Sequence, residues 1–317
     1  MKNIYSNIFK VNNKNLSNAV KYLKKNELVG VPTETVYGLA GNAYSDISIK
    51  KIFNLKKRPK KNPLIIHYYN KKDLINDVEV NQKFLKLYKH FCPGPLTFIL
   101  KKKPFSKISN IATSKLNTVA VRFPGNKTIR RVLRELKLPL AIPSANKSSG
   151  ISPIKAKDVY EEFGMKIKFI LDGGSSKIGI ESTVLDLTKK LKILRPGFIG
   201  VSEIKKIIKS NIPLVKNQKI IRSPGLLKKH YSPGIPMKLN QTSAKPKCAF
   251  IIFGKKYKKN KNTFNLSRSA NLDEAARNLY TILRSIKKKK YKKIHVVKIP
   301  NIGLGIAIND RLKHAAY

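Results

Sequence analysis

Cysteine occurs only twice, at Cys92 and Cys248, with no CxxC or Cys/His spacing around either. Two such distant thiols specify neither a disulfide framework nor a zinc site, and they suit a reduced, cytoplasmic setting. No apolar run reaches 18 residues, which argues against a membrane-spanning helix. The opening stretch MKNIYSNIFKVNNKN has no apolar core, so no signal peptide is expected. Familiar nucleotide loops are missing as well. GGSSKIGIES (173–182) spaces two glycines like a phosphate loop, but Ile180 and Glu181 stand where Lys and Ser/Thr are required. GLGIAI (303–308) lacks the third glycine of a dinucleotide fingerprint, and neither HExxH nor GxSxG occurs. Phosphates bound by this chain must be held by separated side chains and turn backbones.

Acidic residues are scarce: 17 Asp and Glu face 67 Lys and Arg, a net charge of +50 over 317 residues. Such a field favours polyanions and anionic metabolites. The excess is mostly lysine, scattered with Asn and Ile as in an A+T-rich genome, and no arginine stripe interleaved with aromatics stands out. Weak, nonspecific RNA binding through the basic surface is what the charge alone predicts. Hydrophobic residues make up 41%, which excludes a disordered basic tail.

What is present is an alternation of helical and strand periods. LSNAVKYLKKN (16–26) puts Leu16, Ala19, Val20 and Leu23 on one helical face, and LVGVPT follows as a strand. Asp46 can cap a helix over ISIKKIFNLKK; PLIIHYY (63–69) is a strand; residues 81–91 are a helix before the strand PLTFIL. TVAVRFP, LPLAIP, KFILDGG, STVLDLT and KILRPG read as further strands, with helices TIRRVLRELK and AKDVYEEFG between them and a short helix near 202–209. These elements predict an α/β domain over residues 1–212 built on a mixed sheet. Four prolines mark residues 213–240 as an extended, ordered linker. Residues 241–317 predict a small βαβα unit with a parallel sheet.

FNLKKRPKKNPLIIH (53–67) carries five cations, yet in so basic a chain a KxR triplet means nothing by itself. Lys56 and Arg58 gain weight from their setting, where a helix ends and two prolines turn the chain into a buried strand. Cations at such a corner are expected to point across the sheet edge, where open α/β folds bind ligands. Lys57, Lys60 and Lys61 read as background. VPTETVYGL (31–39) puts Thr33, Glu34, Thr35 and Tyr37 after a strand, in the manner of a capped helix start. AIPSANKSSG (141–150) sets Ser144 and Asn146 after another strand, as a hydrogen-bonded turn would. STVLDL and LRPG add Ser182 and Arg195. Arg122, inside VAVRFP, needs a carboxylate partner from the protein or from a ligand.

Taken together, PTETVYGL, KKRPKKNPL, PGPLT, VRFP, PSANKSSG, STVLDL and LRPG resemble, in order, the threonylcarbamoyl-AMP synthase family built on the YrdC-type domain. SPGLLKKHYSP (223–233) and the terminal GLGIAINDRLKHAA resemble its longer, two-domain branch. The resemblance implies a YrdC-like mixed twisted sheet with helices, followed by a small Rossmann-like C-terminal domain. It implies synthesis of threonylcarbamoyl-AMP and pyrophosphate from L-threonine, bicarbonate (or CO2) and ATP with Mg2+, the metal carried by the ATP phosphates. The product would pass to a transferase that modifies the adenosine beside the tRNA anticodon. By the same resemblance, Lys56, Arg58, Ser144 and Asn146 surround the nucleotide phosphates as the catalytic constellation. Asn62, Thr118, Ser152 and Arg195 fall at ATP-contacting positions. Thr35, His67, Arg122, Ser182 and the Ile142 backbone fall at threonine-holding positions. Tyr231, beside His230, belongs to a linker that covers the active site. Lys57 departs from the family's usual glycine and Leu226 from its usual methionine. Two other readings compete: an RNA-binding module on the same fold, and a carbamoyl-transfer domain of the hydrogenase-maturation type, which would carry acylphosphatase and zinc-finger segments.

Overall fold

A computed structural model of the chain describes residues 5–215, 230–243, 245–258 and 260–316. Most of the SPGLLKKHYSP segment, residues 223–229 with Leu226, lies outside them. The first part of the chain runs β1 (Ile8–Lys10), α1 (Asn13–Lys24), β2 (Val29–Val31), β3 (Gly38–Asn42), α2 (Asp46–Lys56), β4 (Ile65–His67) and α3 (Lys71–Leu74). It continues through α4 (Gln82–Phe91), β5 (Leu96–Lys101), β6 (Thr118–Arg122), α5 (Lys127–Leu136), β7 (Leu140–Ala141), α6 (Ala156–Phe163), β8 (Phe169–Asp172), β9 (Thr183–Asp186), β10 (Lys192–Arg195) and α7 (Val201–Ile208). These ten strands form one mixed sheet in the order β1-β8-β2-β3-β7-β4-β6-β5-β9-β10.

Side-chain alternation sorts the sheet into two faces. Leu64, Ile66 and Tyr68, Phe98 and Leu100, and Val119, Val121 and Phe123 join the largest core cluster, together with Ile52 and Phe53 of α2 and Phe84 and Leu87 of α4. On the other face α1 and α5 cover only the β1-to-β7 half. Leu16, Ala19, Val20 and Leu23 of α1 meet Ile129, Val132, Leu133 and Leu136 of α5 over Val29, Val31 and Leu140. Each fully buried Leu or Ile contributes about 1.5–3 kcal/mol. Asn12 and Asn126 cap these helices, accepting from the backbone N–H of Asn15 (2.8 Å) and Thr128 (2.9 Å) respectively. The half of this face from β4 to β10 holds only a small apolar floor: Ile65, Ile99, Ala120, Val184 and Leu194. The hollow above that floor is where the polar residues gather.

The small domain contains β11 (Met237–Lys238), β12 (Ala249–Ile252), β13 (Thr263–Asn265), α8 (Leu272–Lys288), β14 (Ile294–Val296) and α9 (Leu304–Ala315). Its sheet is parallel throughout, in the order β11-β14-β12-β13. β11 falls within residues 213–240, the segment expected to be linker. Earlier in that segment, Leu214 bridges to Ile193 beside β10. Its core takes in Val36, Ile151, Ile154 and Ile180 from the first part of the chain, so the two units share one apolar cluster.

Two expectations need correcting. VPTETVYGL starts no helix: residues 34–36 make bends, and Gly38 begins β3, a strand that periodicity did not reveal. The reason is packing. A Cβ on Gly38 would lie 2.1 Å from Ile142 Cγ2, so the approach of β3 to residues 142–144 requires the residue that propensity disfavours in strands. The arginine stripe absent from the linear sequence is made by the fold. Lys127, Arg130, Arg131 and Arg134 share one side of α5 around Tyr69, with the Arg130 guanidinium 4.6 Å over the Tyr69 ring.

Candidate active site

A narrow cavity, with about 40 Å³ open to a water-sized molecule, lies over the uncovered half of the sheet, lined by Thr35, Arg58, His67, Arg122, Ile142, Ser144, Ser182 and Arg195 among the expected residues. Val36, Ile65, Pro143, Glu181 and His230 complete its wall. It lies on the sheet's face, not beyond a strand edge as the helix-to-strand corner suggested. His67 and Arg122 are register partners on adjacent parallel strands, and Thr97 pairs with Arg122 from the other side.

At one side of the cavity, Arg122 supplies the geometry. Its Nη2 donates to Glu34 Oε1 at 2.6 Å and its Nη1 to Thr35 Oγ1 at 3.0 Å. The carboxylate expected for Arg122 is therefore Glu34. Burial raises the Glu34 pKa, but Arg122 and the Gly125 backbone together outweigh it and hold the carboxyl below its ordinary value. Two of the five guanidinium N–H groups are spent on these bonds, and Nε faces Gly94 O at a long 3.4 Å, so Arg122 keeps donors for a ligand. His67 is buried and its Nδ1 faces Ile65 O at 3.1 Å. Burial, reinforced by the Arg122 charge, drives its pKa well down, so the ring is neutral. Ser182 Oγ lies 2.7 Å from Thr97 Oγ1. The Ile142 N–H donates to Ile65 O, so a ligand contact from that backbone falls to its carbonyl.

Three further cations gather around the cavity, and two of them, Arg58 and Arg195, line it. Lys56 ends α2 fully buried, its Nζ donating to the carbonyls of Ser144, at 2.5 Å, and of Asn146. It thus stands behind the Ser144–Asn146 turn and does not line the cavity. Burial first, and then the Arg58 charge, push its pKa well below that of an ordinary lysine. Arg58 Nε and Nη2 donate to the carbonyls of Asn62 (2.8 Å) and Pro63 (2.9 Å). Burial and Arg195 depress the Arg58 pKa to about 9, still charged at neutral pH. Arg195 donates to Ser182 O at 2.9 Å and to Ser182 Oγ at 3.2 Å. Lys57, Lys60 and Lys61 are exposed, whereas Lys56 and Arg58 are buried.

Several buried polar atoms around the cavity have no hydrogen-bond partner among the described residues: both polar side-chain atoms of Asn62, Asn146 Oδ1, His230 Nδ1 and the Tyr231 hydroxyl. Leaving such atoms unpaired costs about 1–3 kcal/mol each, which a polar ligand would offset. Tyr231 is fully buried behind His230, the ring that does reach the cavity; their centroids are 4.0 Å apart. Thr118 opens β6 and Ser152 donates to Glu181 Oε1 at 2.6 Å; neither lines the cavity. Sequence reasoning missed Glu181, Thr97 and the Glu34 pairing. In so acid-poor a chain, a glutamate abutting STVLDL was the available signal.

Among the described residues no three His, Cys, Asp or Glu side chains group as a metal cage, and no helix is long and apolar enough to cross a membrane. A family model described as telomere recombination (Sua5/YciO/YrdC) matches residues 21–197, and one described as threonylcarbamoyl-AMP synthase, C-terminal domain, matches residues 199–317. The chain is 35% identical to the threonylcarbamoyl-AMP synthase of Pyrococcus abyssi, over 94% of this chain and 93% of that protein. It is 36% identical to the Bacillus subtilis enzyme of the same name, over 96% and 94%. The crystal structure of P. abyssi Sua5 complexed with L-threonine superposes with a TM-score of 0.90 at 32% identity, covering 98% of this chain and 97% of that one.

Proposed function

The chain belongs to the threonylcarbamoyl-AMP synthase family, and from that premise we propose that it makes threonylcarbamoyl-AMP and pyrophosphate from L-threonine, bicarbonate or CO2, and ATP. The observation that carries this reading is one cavity lined by two sets of anion-binding residues, on a first side Arg58 with Arg195 and on a second Arg122 with Thr35, His67 and Ser182, the two meeting where Arg195 donates to Ser182. We read the first side, backed by Lys56, Asn62, Ser144 and Asn146, as the ATP phosphate site. The second is the threonine site, with Arg122 for the carboxylate.

The chemistry needs no nucleophilic side chain. The threonine amine captures CO2 as a carbamate and releases a proton. A carbamate oxygen then bonds to the α-phosphorus as the bond from that phosphorus to the pyrophosphate oxygen breaks. The protein must bring two anions together, spread the phosphoryl charge and exclude water. Three buried cations suit the second task, and the His230–Tyr231 segment, as a lid, suits the third. Mg2+ would arrive on the ATP phosphates, because both carboxylates nearest the cavity are engaged by cations, and it would add charge neutralisation there. A donor for the threonine hydroxyl rejects valine strongly, whereas exclusion of serine rests on a methyl pocket worth about 1–3 kcal/mol.

Hand-off to a tRNA threonylcarbamoyl transferase, a cytoplasmic setting, and division of the chain into catalytic domain, lid and C-terminal domain, with the last taking in β11, complete this reading. Weak, nonspecific RNA binding has its best support in the α5 stripe. The test is pyrophosphate release that depends on both threonine and bicarbonate. Arg58→Ala is expected to reduce it at least a hundredfold while RNA binding stays within twofold. Parallel loss of both activities, or release without threonine, overturns the assignment.

A further inference from the structure

Glu181 is a carboxylate facing a cavity assigned to phosphates, and nothing in the reaction above uses it. It directly precedes Ser182 and β9, is 7% exposed, and shares the cavity wall with Arg58, Arg195 and His230. Its oxygens are claimed from two directions. Ser152 Oγ donates to Oε1 at 2.6 Å. From the C-terminal domain, the Tyr280 hydroxyl of α8 donates to Oε2 at 2.8 Å and Arg311 Nε of α9 donates to the same oxygen at 2.9 Å. Arg311 is only 1% exposed, yet it reaches further into the catalytic unit: its Nη1 donates to Pro196 O at 2.7 Å, directly after Arg195. Its guanidinium lies 5.2 Å from the centre of the Tyr231 ring, so it also touches the segment read as the lid.

Resting on the functional reading above, we propose that Glu181 and Arg311 form a charge-cancelling positioning pair through which the C-terminal domain makes the cavity fit to bind ATP. The seating is close. Gly179 has φ +82°, and a Cβ there would sit 2.6 Å from Arg277 Cα of α8, so the backbone before Glu181 lies directly against the C-terminal domain. Without Arg311, a buried glutamate would set its negative charge against the incoming phosphates and beside the cations meant for them. That charge persists at working pH. Burial raises the Glu181 pKa, but Arg311, Arg195 and the Ser152 hydroxyl outweigh it and hold the carboxyl at about 2. Asp310 Oδ2, 2.7 Å from Arg311 Nη1, keeps the guanidinium itself partly neutralised. The competing account is a buried ion pair that only holds two domains together.

The two accounts differ in sign. Under charge cancellation Glu181→Gln, which keeps the shape, leaves Arg311 balanced by Asp310 alone, removes the negative charge from the cavity wall and tightens ATP binding, whereas Arg311→Met leaves Glu181 uncompensated and weakens it. Calorimetric Kd values for ATP on the full chain are expected to fall about threefold in E181Q, to rise at least tenfold in R311M, and to return within threefold of wild type in the double variant. A structural tie moves both single variants the same way, or lowers the melting temperature with Kd unchanged; either result overturns the proposal. Should R311M not fold, E181Q alone decides, because absence of tightening refutes the pair. Wild-type protein that binds ATP but releases no threonine-dependent pyrophosphate would sink the proposed reaction and leave the pair to be judged on its own cycle.

Discussion

Lys56, Lys57 and Arg58 are three successive cations with three different fates. Lys56 and Arg58 are buried at the site, and Lys57 between them is the exposed C-cap of α2 with φ +50°. A left-handed residue at that position favours glycine, because a side chain with a Cβ costs about 1 kcal/mol there. Lys57→Gly is therefore expected to raise stability by about 0.5–1 kcal/mol, read as a higher denaturant midpoint, with pyrophosphate release unchanged. A lower midpoint would mean that Lys57 makes a contact outweighing the backbone strain. What sequence could show at this scale was which residues stand at turns. It could not show that the Lys56 ammonium is turned toward the carbonyls of Ser144 and Asn146, because that depends on a loop 88 residues away.

Helices were the most legible elements, because their apolar spacing is long, although the cap of α2 is Ser45, which accepts from the Ser48 N–H, and not Asp46. The 3.6-residue pattern located α1, α2, α4 and α5 to within a few residues. Short strands were less legible: β1, β3, β11 and β13 have two to five residues each, too few for alternation to register. The face of α5 opposite its core is a second case. Three arginines spaced over 130–134 look like part of the lysine background until Tyr69 from a distant loop completes the hollow. Replacing Arg130, Arg131 and Arg134 together with Gln is expected to flatten the salt dependence of nonspecific RNA binding. The slope of log K against log salt should fall by about 2–3, with pyrophosphate release unaffected. An unchanged slope would return the stripe to the background.

For the whole molecule, burial of ionisable groups sets the response to acid. His67 and His230 have pKa values depressed by burial, His230 to about 3, so the native protein holds them neutral while the unfolded chain protonates them below about 6.5. Their contribution is complete above that pH and is lost as the pH falls toward 3. Glu34 and Glu181 are also depressed, by their arginine partners against the effect of burial, and their contribution is lost from about 4.5 downward, for Glu181 toward 2. Melting temperature is thus expected to decline in two stages, starting near pH 6.5 and steepening below 4.5. Substituting both histidines with Gln should remove the first stage and spare the second. A profile flat from pH 7 to 5 in the wild type would contradict the burial of these rings.

The apolar cluster that takes Val36 and Ile180 from one unit and Leu279, Tyr280 and Leu312 from the other bears on how such a gene can be rearranged. Two segments joined only by a tether can be traded between relatives like interchangeable parts. Here the first half carries part of the second half's interior. A chimera that takes its C-terminal half from a distant relative should be insoluble or inactive, unless residues 36, 151, 154 and 180 are exchanged along with it. The unit of inheritance is the seam and both of its sides.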